Sequence, residues 1–138
     1  MREIEIPDLN LVRPVHVHAQ RLRKRICSNF ATALKTVDVI ATPTTAGTAP
    51  LVPPNALGTG ESDLVTLDRM TRFVTASNLT GLPAISFPAG YDSQGLPIGI
   101  QMIGRAWGEG LLLRLAAMAE PLVERRLPRM HFKLHGGG

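Results

Sequence analysis

The sequence predicts an α/β fold in which helices pack on a short sheet that contains a β-hairpin. The strongest local signal is a pair of runs rich in Ile, Phe and small residues, separated by Asp92-Ser-Gln-Gly95. Asp and Ser supply local hydrogen bonds and Gly accepts a positive φ, so these four residues are typical of a hairpin turn. Apolar residues recur at helical spacing before and after the hairpin. This order of strands and helices favours helices that cover one or both faces of a sheet.

Length and composition fit one globular domain. A chain of 138 residues can bury about two thirds of its unfolded surface, and 44% hydrophobic with 19% charged residues argues against disorder. The single Cys27 cannot form an internal disulfide, and no apolar run approaches the ~20 residues that span a bilayer. The first residues lack the apolar segment of a signal peptide. The composition therefore favours a reducing, intracellular setting.

The first half of the chain predicts one helix and one strand. Residues 1–14 are a lead-in segment that is either a short edge strand or irregular chain. Apolar and charged residues alternate at its start, as in a strand, but the alternation ends at Pro7, so the two alternatives stay open. A helix is predicted from about Val15 to Lys35, where apolar residues recur at helical spacing. A strand follows over Val37–Thr42, and Pro43 ends it because proline cannot donate to a sheet ladder.

The second half begins with another helix and continues into the hairpin. The helix is predicted from Leu64 to about Leu79, with Ser62 or Asp63 as its N-cap. The hairpin strands are predicted over Ala84–Phe87 and Ile98–Ile103.

A final helix is predicted to start at Gly108 or Glu109. Nearly every face of its first half is apolar, so we expect it to be buried against the sheet. Its main apolar stripe consists of four residues, Leu111, Leu115, Met118 and Leu122. Pro121 is expected to kink or end the helix because it removes a backbone donor, and residues 125–138 are expected to form a flexible tail.

A basic cluster on the first predicted helix has two interpretations. The net charge is +4, and the cluster consists of Arg21, Arg23, Lys24 and Arg25. It is either a solvated helix face or a phosphate-binding surface, and the scarcity of aromatic residues favours the solvated face over nucleic-acid binding. His16 and His18 alternate as in some metal sites, but further ligands are not clustered around them in the sequence, so no metal site is predicted.

The hairpin also carries a resemblance to a known family. The motifs are Asn78-Leu-Thr-Gly-Leu-Pro-Ala-Ile-Ser-Phe-Pro88, Gly95-Leu-Pro-Ile-Gly-Ile-Gln-Met-Ile-Gly104, Trp107-Gly-Glu109 and Asp38-Val-Ile-Ala-Thr-Pro-Thr-Thr45. Together they resemble the C-terminal segment of the amidase signature family, over roughly Arg21 to Glu124. Within the family the chain resembles plant fatty acid amide hydrolases through three further motifs, Thr44–Pro50, Pro53–Leu57 and Arg72–Val74.

The resemblance implies a fold and a reaction, and it implies that the catalytic residues lie outside this chain. It implies that residues 1–138 are one partial domain, the C-terminal part of a larger mixed sheet. It also implies hydrolysis of an amide, of the fatty acid amide or N-acylethanolamine type, through an acyl-serine intermediate formed by a Ser-Ser-Lys constellation, without a cofactor. The chain contains no Ser-Ser pair and no Gly-Gly-Ser run. No catalytic residue is therefore predicted in it, and alone it should be inactive.

The resemblance places Met70, Thr71 and Val74 beside the substrate pocket of the complete enzyme. Members that act on glutamine carry an acidic residue at the position of Thr71, so an uncharged residue with apolar neighbours favours an apolar substrate. The alternative is that these residues belong to an ordinary core helix.

Other reactive side chains receive structural interpretations. Ser86 and Ser93 lie in a strand and a turn rather than in a nucleophile elbow. Asn78 matches a glycosylation acceptor but is expected to hydrogen-bond backbone groups between helix and strand. Trp107 and Glu109 are expected to fix the entry into the last helix.

Two other classes of function stay open. The chain could be a non-catalytic interaction module or truncated paralogue, or a basic protein that binds nucleic acid or a membrane surface. Because excision would leave a sheet edge and an apolar face uncovered, we expect self-association or association with a missing N-terminal segment. Membrane association of the complete enzyme is left open.

Overall fold

The described residues form a short sheet of three antiparallel strands. The computed structural model describes residues 9–52 and 63–126, with side chains from residue 14 onward. The strands are β1 (Val39–Pro43), β2 (Ala84–Tyr91) and β3 (Pro97–Gly104). Their order is β1-β3-β2, so the central strand β3 pairs with both others.

Four α-helices are described. They are α1 (Leu9–Ala33), α2 (Leu64–Thr71), α3 (Val74–Thr80) and α4 (Glu109–Ala119), and a short 3₁₀ helix (Glu120–Leu122) follows α4. The predicted α/β class, with helices on a short sheet that contains a hairpin, is confirmed.

Helix α1 begins earlier than predicted. Residues 9–14 are helical, so the expectation of an edge strand or irregular chain is wrong for them, while residues 1–8 lie outside the described residues. Pro14 lies inside this 25-residue helix, in its second turn, where it removes one backbone donor. The helix ends at Ala33 rather than Lys35, and Thr36 N bonds to Ala33 O in the turn that follows.

The helix predicted from Leu64 to Leu79 is two helices. Arg72 and Phe73 separate α2 from α3. Thr71 Oγ1 donates to Leu67 O at 2.8 Å and Thr75 Oγ1 to Thr71 O at 2.9 Å, and such back-bonding from hydroxyls bends helices. The continuous apolar spacing contained no signal for this bend.

Asp63 is the N-cap of α2, which confirms one of the two predicted candidates. Its carboxylate accepts hydrogen bonds from the backbone N–H groups of Val65 at 3.0 Å and Thr66 at 3.1 Å. The first backbone N–H groups of a helix have no carbonyl partner within the helix, and the Asp63 carboxylate supplies that partner here.

The hairpin forms as predicted, with longer strands. Asp92 Oδ1 accepts from the backbone N–H groups of Gln94 and Leu96, both at 2.9 Å, and Gly95 has φ 82°. An irregularity between Pro88 and Gly90 shifts the β2 register, and pairing then continues to Tyr91. The longer strands follow because this bulge keeps the ladder continuous beyond Phe87.

Strand β1 is the third predicted strand. It starts at Val39 rather than Val37 and includes Pro43 as its last residue, opposite Ile100. A proline is tolerated at this place because β1 lies at an edge of the three-stranded sheet.

The core is small, and α4 is less covered than predicted. In the part of the chain that the structure describes, its buried hydrophobic residues are Leu34, Ile103 and Leu112. Leu112 packs against Gly104, where a Cβ would lie only 3.2 Å from Leu112 Cγ, so the glycine permits this close approach. Leu111 and Leu115 of the predicted stripe are half-buried, but the stripe is wrong at Met118 and Leu122, which are 71% and 82% exposed, because the side of α4 that packs on the sheet is centred on Leu112.

Candidate functional site

The segment Thr44–Pro50, here called the threonine loop, lies between the sheet and α2. Thr44 N donates to Gly99 O at 2.9 Å, which ties the loop to β3. Ala46 N donates to Arg69 O at 3.2 Å, which ties it to α2. Thr45 Oγ1 closes a tight bend by donating to Gly47 O at 2.7 Å. The loop therefore has a fixed position relative to strand and helix.

Gly99 permits the loop to approach β3. A Cβ atom at this position would lie 2.7 Å from Thr44 Oγ1 and 3.1 Å from Thr44 Cβ, closer than side chains pack. Thr44 Oγ1 also lies 3.1 Å from Ser86 Oγ on β2. A pair of hydroxyls thus links the threonine loop to β2, beside the glycine of the central strand.

Two clefts lie beside the threonine loop. The first has a volume of about 300 Å³ and is lined by Gly47, Thr48, Ala49, Pro50, Thr66, Arg69 and Met70. The second has a volume of about 330 Å³ and is lined by Pro43, Thr45, Ala46, Gly47, Thr48, Phe73, Ile98 and Gly99. Both volumes are at the lower end for small-molecule sites, and their linings combine hydroxyls with apolar side chains.

The predicted substrate residues lie around the bend between α2 and α3. Met70 and Thr71 are the last residues of α2, and Val74 is the first residue of α3. All three are half-buried, and Met70 is the one of them that lines the cleft beside the threonine loop. The bend therefore keeps the three residues near one another, but they do not line one described cavity together.

Gln101 is an important residue of this region that the sequence interpretation missed. It lies on β3 with 3% of its surface exposed. Its side-chain amide donates to Phe73 O at 3.2 Å and to Thr42 Oγ1 at 3.4 Å. A polar residue inside the apolar run Ile98–Ile103 is the signal that could have identified it, because a buried amide needs partners.

Arg105 is a second residue that was missed. Its Nε donates to Leu34 O at 2.9 Å, and its Nη2 contacts Val37 O and Asp38 Oδ1, both at 3.2 Å. The guanidinium thus holds the connection from α1 to β1 against the end of β3.

A larger cleft lies elsewhere, between α4 and β2. It has a volume of about 600 Å³, and its lining includes Phe87, Tyr91, Leu113, Glu120 and Arg125. At its edge the Tyr91 hydroxyl accepts a hydrogen bond from Arg126 N at 3.0 Å, and the Arg126 guanidinium lies 4.6 Å from the ring centroid. None of the predicted substrate residues lines this cleft.

Two carboxyl groups near the loop have lowered pKa values, and both serve the backbone. The side-chain hydrogen bond from Thr66, followed by its backbone N–H, lowers the pKa of Asp63. The backbone N–H of Leu96, followed by the hydroxyl of Thr48, lowers the pKa of Asp92. Hydrogen bonds to the charged form keep both groups ionised, which suits a cap and a turn rather than a general acid.

The serine and asparagine side chains singled out from the sequence have structural rather than catalytic positions. Ser86 Oγ contacts Thr44, and Ser77 Oγ donates to Val74 O at 3.0 Å. Ser93 lies in the hairpin turn. Asn78 is exposed on α3, and no hydrogen bond of its amide to the helix-to-strand connection is found among the described residues. The Thr80 hydroxyl makes that connection instead, because it donates to Ala76 O at 2.8 Å and accepts from Leu82 N at 3.4 Å. Arg23 Nε of α1 also donates to Leu79 O at 2.8 Å.

Trp107 and Glu109 lie where the last helix begins. Trp107 has φ 63° and is 93% exposed, and Glu109 is the first residue of α4. A carboxylate in the first turn is favoured by the helix dipole.

Among residues 9–52 and 63–126, no three His, Cys, Asp or Glu side chains are close enough together to hold a metal ion. No helix in these two ranges combines the length and apolar character needed to cross a bilayer.

Comparison with known sequences gives similarity to one family. The family model described as Amidase matches residues 10–113. Fatty acid amide hydrolase of Medicago truncatula is 50% identical over 123 residues, 88% of this chain and 20% of the relative. The Oryza sativa subsp. indica enzyme of the same name is 53% identical over 114 residues, 83% of this chain and 19% of the relative. A glutamyl-tRNA(Gln) amidotransferase subunit of Thiobacillus denitrificans is 42% identical over 101 residues, 73% of this chain and 20% of the relative.

Solved structures agree with these sequences. The corresponding glutamyl-tRNA(Gln) amidotransferase subunit from Thermotoga maritima superposes with a TM-score of 0.65 and 34% identity, over 75% of this chain and 22% of that chain. A 6-aminohexanoate cyclic dimer hydrolase superposes with a TM-score of 0.62 and 27% identity, over 80% of this chain and 24% of that chain. The chain spans about one fifth of the length of the curated relatives it matches.

Proposed function

The chain belongs to the amidase family, and from this premise we propose that it is the C-terminal segment of an amide hydrolase that acts on fatty acid amides. In this proposal residues 1–138 are one partial domain. The segment supplies part of the sheet, the threonine loop and the bend between α2 and α3. The nucleophile and base come from the part of the fold that this sequence does not contain.

The main support for the proposal is that sequence identity is higher to the fatty acid amide hydrolases than to the amidotransferase subunits. Identity to the four plant fatty acid amide hydrolases is 50–53% over 107 to 123 residues. Identity to the amidotransferase subunits is 39–42% over 101 to 116 residues. Both groups match most of this chain, so the difference in identity favours the substrate class of the first group.

The chemistry around Thr71 supports an apolar substrate. Its hydroxyl hydrogen is already donated to Leu67 O at 2.8 Å, and Met70 beside it lines a cleft. A polar substrate such as glutamine needs a charged or free hydrogen-bonding partner when it is desolvated. Thr71 carries no charge and its donor is engaged, whereas an acyl chain needs only apolar contact.

The 138-residue chain by itself is proposed to be inactive. Acyl transfer at neutral pH requires an activated nucleophile within hydrogen-bond reach of a base. The hydroxyls of Ser77 and Ser86 contact a carbonyl and a threonine, and neither of these contacts involves a lysine. We expect the purified chain to hydrolyse a long-chain N-acylethanolamine no faster than buffer does. Turnover that survives repurification and is abolished by a serine-directed acylating reagent would contradict this.

The substrate class is tested by exchanging the matching segment of the Oryza sativa fatty acid amide hydrolase for this chain. The hybrid should hydrolyse long-chain fatty amides. Thr71→Asp in the hybrid should lower long-chain turnover by at least about tenfold, because an unpaired carboxylate among apolar groups costs several kcal/mol. Thr75→Asp is the matched control, since Thr75 makes the same type of bond, to Thr71 O at 2.9 Å, but is exposed. A hybrid that acts only on short polar amides, or equal kinetics for the two variants, would refute the proposed substrate class.

A further inference from the structure

The outer edge of β2 carries backbone groups that point away from the described sheet. Gly104 N donates to Pro83 O at 2.9 Å, so these two residues form a hydrogen-bonded pair. In an antiparallel ladder, residues that bond to the neighbouring strand alternate with residues that do not. Ile85 and Phe87 therefore bond toward β3, and the N–H and C=O groups of Ser86 point to the outer edge. No other strand of the described sheet pairs with this edge.

The same edge continues to the end of β2. Asp92 N donates to Leu96 O at 2.9 Å in the hairpin turn. Tyr91 lies one residue earlier, opposite Pro97, so its backbone groups also point outward. Unpaired groups on a strand edge favour pairing with a further strand.

The cleft between α4 and β2 runs along this edge. Ser86, Phe87 and Pro88 all line it. Because successive side chains of a strand point to opposite faces, three consecutive lining residues mean that the cleft reaches the backbone edge of β2. Its other wall is α4, where Leu113 is 61% exposed. The cleft, with a volume of about 600 Å³, thus combines outward-pointing backbone groups with uncovered apolar side chains.

The last described residues lie at this cleft. Arg125 lines it, and Arg126 N donates to the Tyr91 hydroxyl at 3.0 Å. Residues 127–138, which the sequence analysis included in a flexible tail, lie outside the described residues. The segment that follows Arg126 therefore starts beside the last residue of β2.

The sequence that follows alternates as a strand does. Its even positions are apolar and its odd positions are basic residues or histidine, in the order Pro128, Arg129, Met130, His131, Phe132, Lys133 and Leu134. Proline is tolerated as the first residue of a strand. Seven extended residues span about 23 Å at about 3.3 Å each, and the five residues from Tyr91 back to Ser86 span about 17 Å. The segment is therefore long enough to follow the whole edge.

We propose that residues 128–134 pair with the outer edge of β2 as a fourth, antiparallel strand and cover the cleft. The segment starts beside Tyr91 and runs back toward Ser86, and main-chain hydrogen bonds to the exposed edge hold it there. Its apolar side packs on Leu113 of α4. Because the segment is tethered through Arg126, its effective concentration at the cleft exceeds that of a segment from another molecule. This inference does not depend on which amide the family member hydrolyses.

Hydrogen exchange of backbone amides, resolved by residue with NMR on the 138-residue chain, tests the proposal. The Ser86 amide should exchange at least about tenfold more slowly than the amide of Ser93 in the exposed hairpin turn, after correction for intrinsic rates. Met130→Gln with Phe132→Gln should raise the exchange rate of Ser86 at least about tenfold, because it removes apolar burial in the cleft. Phe87 bonds to β3, so the exchange of its amide should stay unchanged.

The matched control is His131→Gln with Lys133→Gln. These two substitutions alter the opposite side of the same segment, and the Ser86 amide should exchange as it does in the unmodified chain. An equal effect of the two double variants would overturn the proposal, and so would a Ser86 amide that exchanges as fast as that of Ser93.

A second measurement needs no variant and decides if a substituted chain fails to fold. Nuclear Overhauser effects should connect backbone protons of Ser86 with residues 128–134 in the unmodified chain. In a mixture of isotope-labelled and unlabelled chains, these contacts should occur within one molecule. Their absence would overturn the proposal. Contacts that occur only between molecules would overturn it too and would assign the edge to a second copy of the chain.

Discussion

The side-chain amide of Gln101 donates a hydrogen bond to the carbonyl oxygen of Phe73 across 3.2 Å, and so links the central strand to the bend between α2 and α3. A carbonyl oxygen can only accept, so the atom that faces it must be a donor. Gln101 is 3% exposed, and water therefore has little access to replace the bond. Position 101 requires a donor of this length, and the bend that carries Met70, Thr71 and Val74 depends on it.

Removing that donor should destabilise the fold. Gln101→Met keeps the length of the side chain but leaves Phe73 O without its partner, which costs about 1–3 kcal/mol for a buried group. Chemical denaturation followed by circular dichroism measures the free energy of unfolding. Gln94→Met in the exposed hairpin turn is the control and should change it little. Equal stability of the Gln101 variant and the unmodified chain would show that the bond does not hold the bend.

Gly99 should tolerate no side chain while Thr44 is present. Gly99→Ala places a Cβ 2.7 Å from Thr44 Oγ1, and such overpacking typically costs about 1–3 kcal/mol. Adding Thr44→Ala removes that oxygen, so the double variant should recover part of the loss in a thermal unfolding cycle. Gly47→Ala is the control, because nothing lies within 4 Å of a Cβ there. Additive losses in the double variant would contradict the predicted clash.

The cap at Asp63 should make stability depend on pH in the acid range. Its pKa is lowered in the folded state by the hydrogen bonds from Thr66, so the stability it contributes is fully present above the unfolded value of 3.8. That contribution is lost as the pH falls through the folded value below it. Compared with Asp63→Ala, the unmodified chain should have the higher Tm at neutral pH, and the difference should shrink below about pH 4. A difference that stays constant down to pH 2 would contradict this linkage.

The chain should associate with itself through its exposed apolar side chains. Leu51 is 95% exposed, Leu113 61% and Met118 71%, and β1 and β2 are the outer strands of the described sheet. Exposed sheet edges and apolar patches favour pairing between chains. Size-exclusion chromatography with light scattering should give oligomers, and thermal unfolding should depend on protein concentration. A compact monomer with one concentration-independent transition would contradict this prediction.

The large features of the fold follow from local sequence signals. The turn Asp92–Gly95 is determined by side-chain hydrogen bonds and by a positive φ, both within four residues. The cap at Asp63 and the end of β1 at Pro43 are also local chemistry. The bend at Arg72 and Phe73 was not predicted, because apolar spacing continues across it and its hydrogen bonds involve hydroxyls and a strand residue.

The sequence also predicted the positions of the proposed substrate residues only in part. Family motifs place Met70, Thr71 and Val74 on one helix, and the structure places Met70 in a cleft and the other two around the bend. No local pattern indicated that Gly99 would admit the threonine loop, because that contact joins residues 55 positions apart.

By itself the sequence determined the elements of this protein and, through its motifs, its family. Periodicity, turn residues and caps act over a few residues, so they can be identified along the chain without knowledge of what packs where. Only the tertiary structure decided which face of α4 is buried, that Arg23 and Arg105 bond the backbone at the ends of α3 and α1, and that residues 14–25 of α1 are exposed while Ile26 and Phe30 are half-buried. Those outcomes depend on contacts such as Gln101 with Phe73 and Arg105 with Leu34, whose partners are distant in sequence and meet only when the sheet forms.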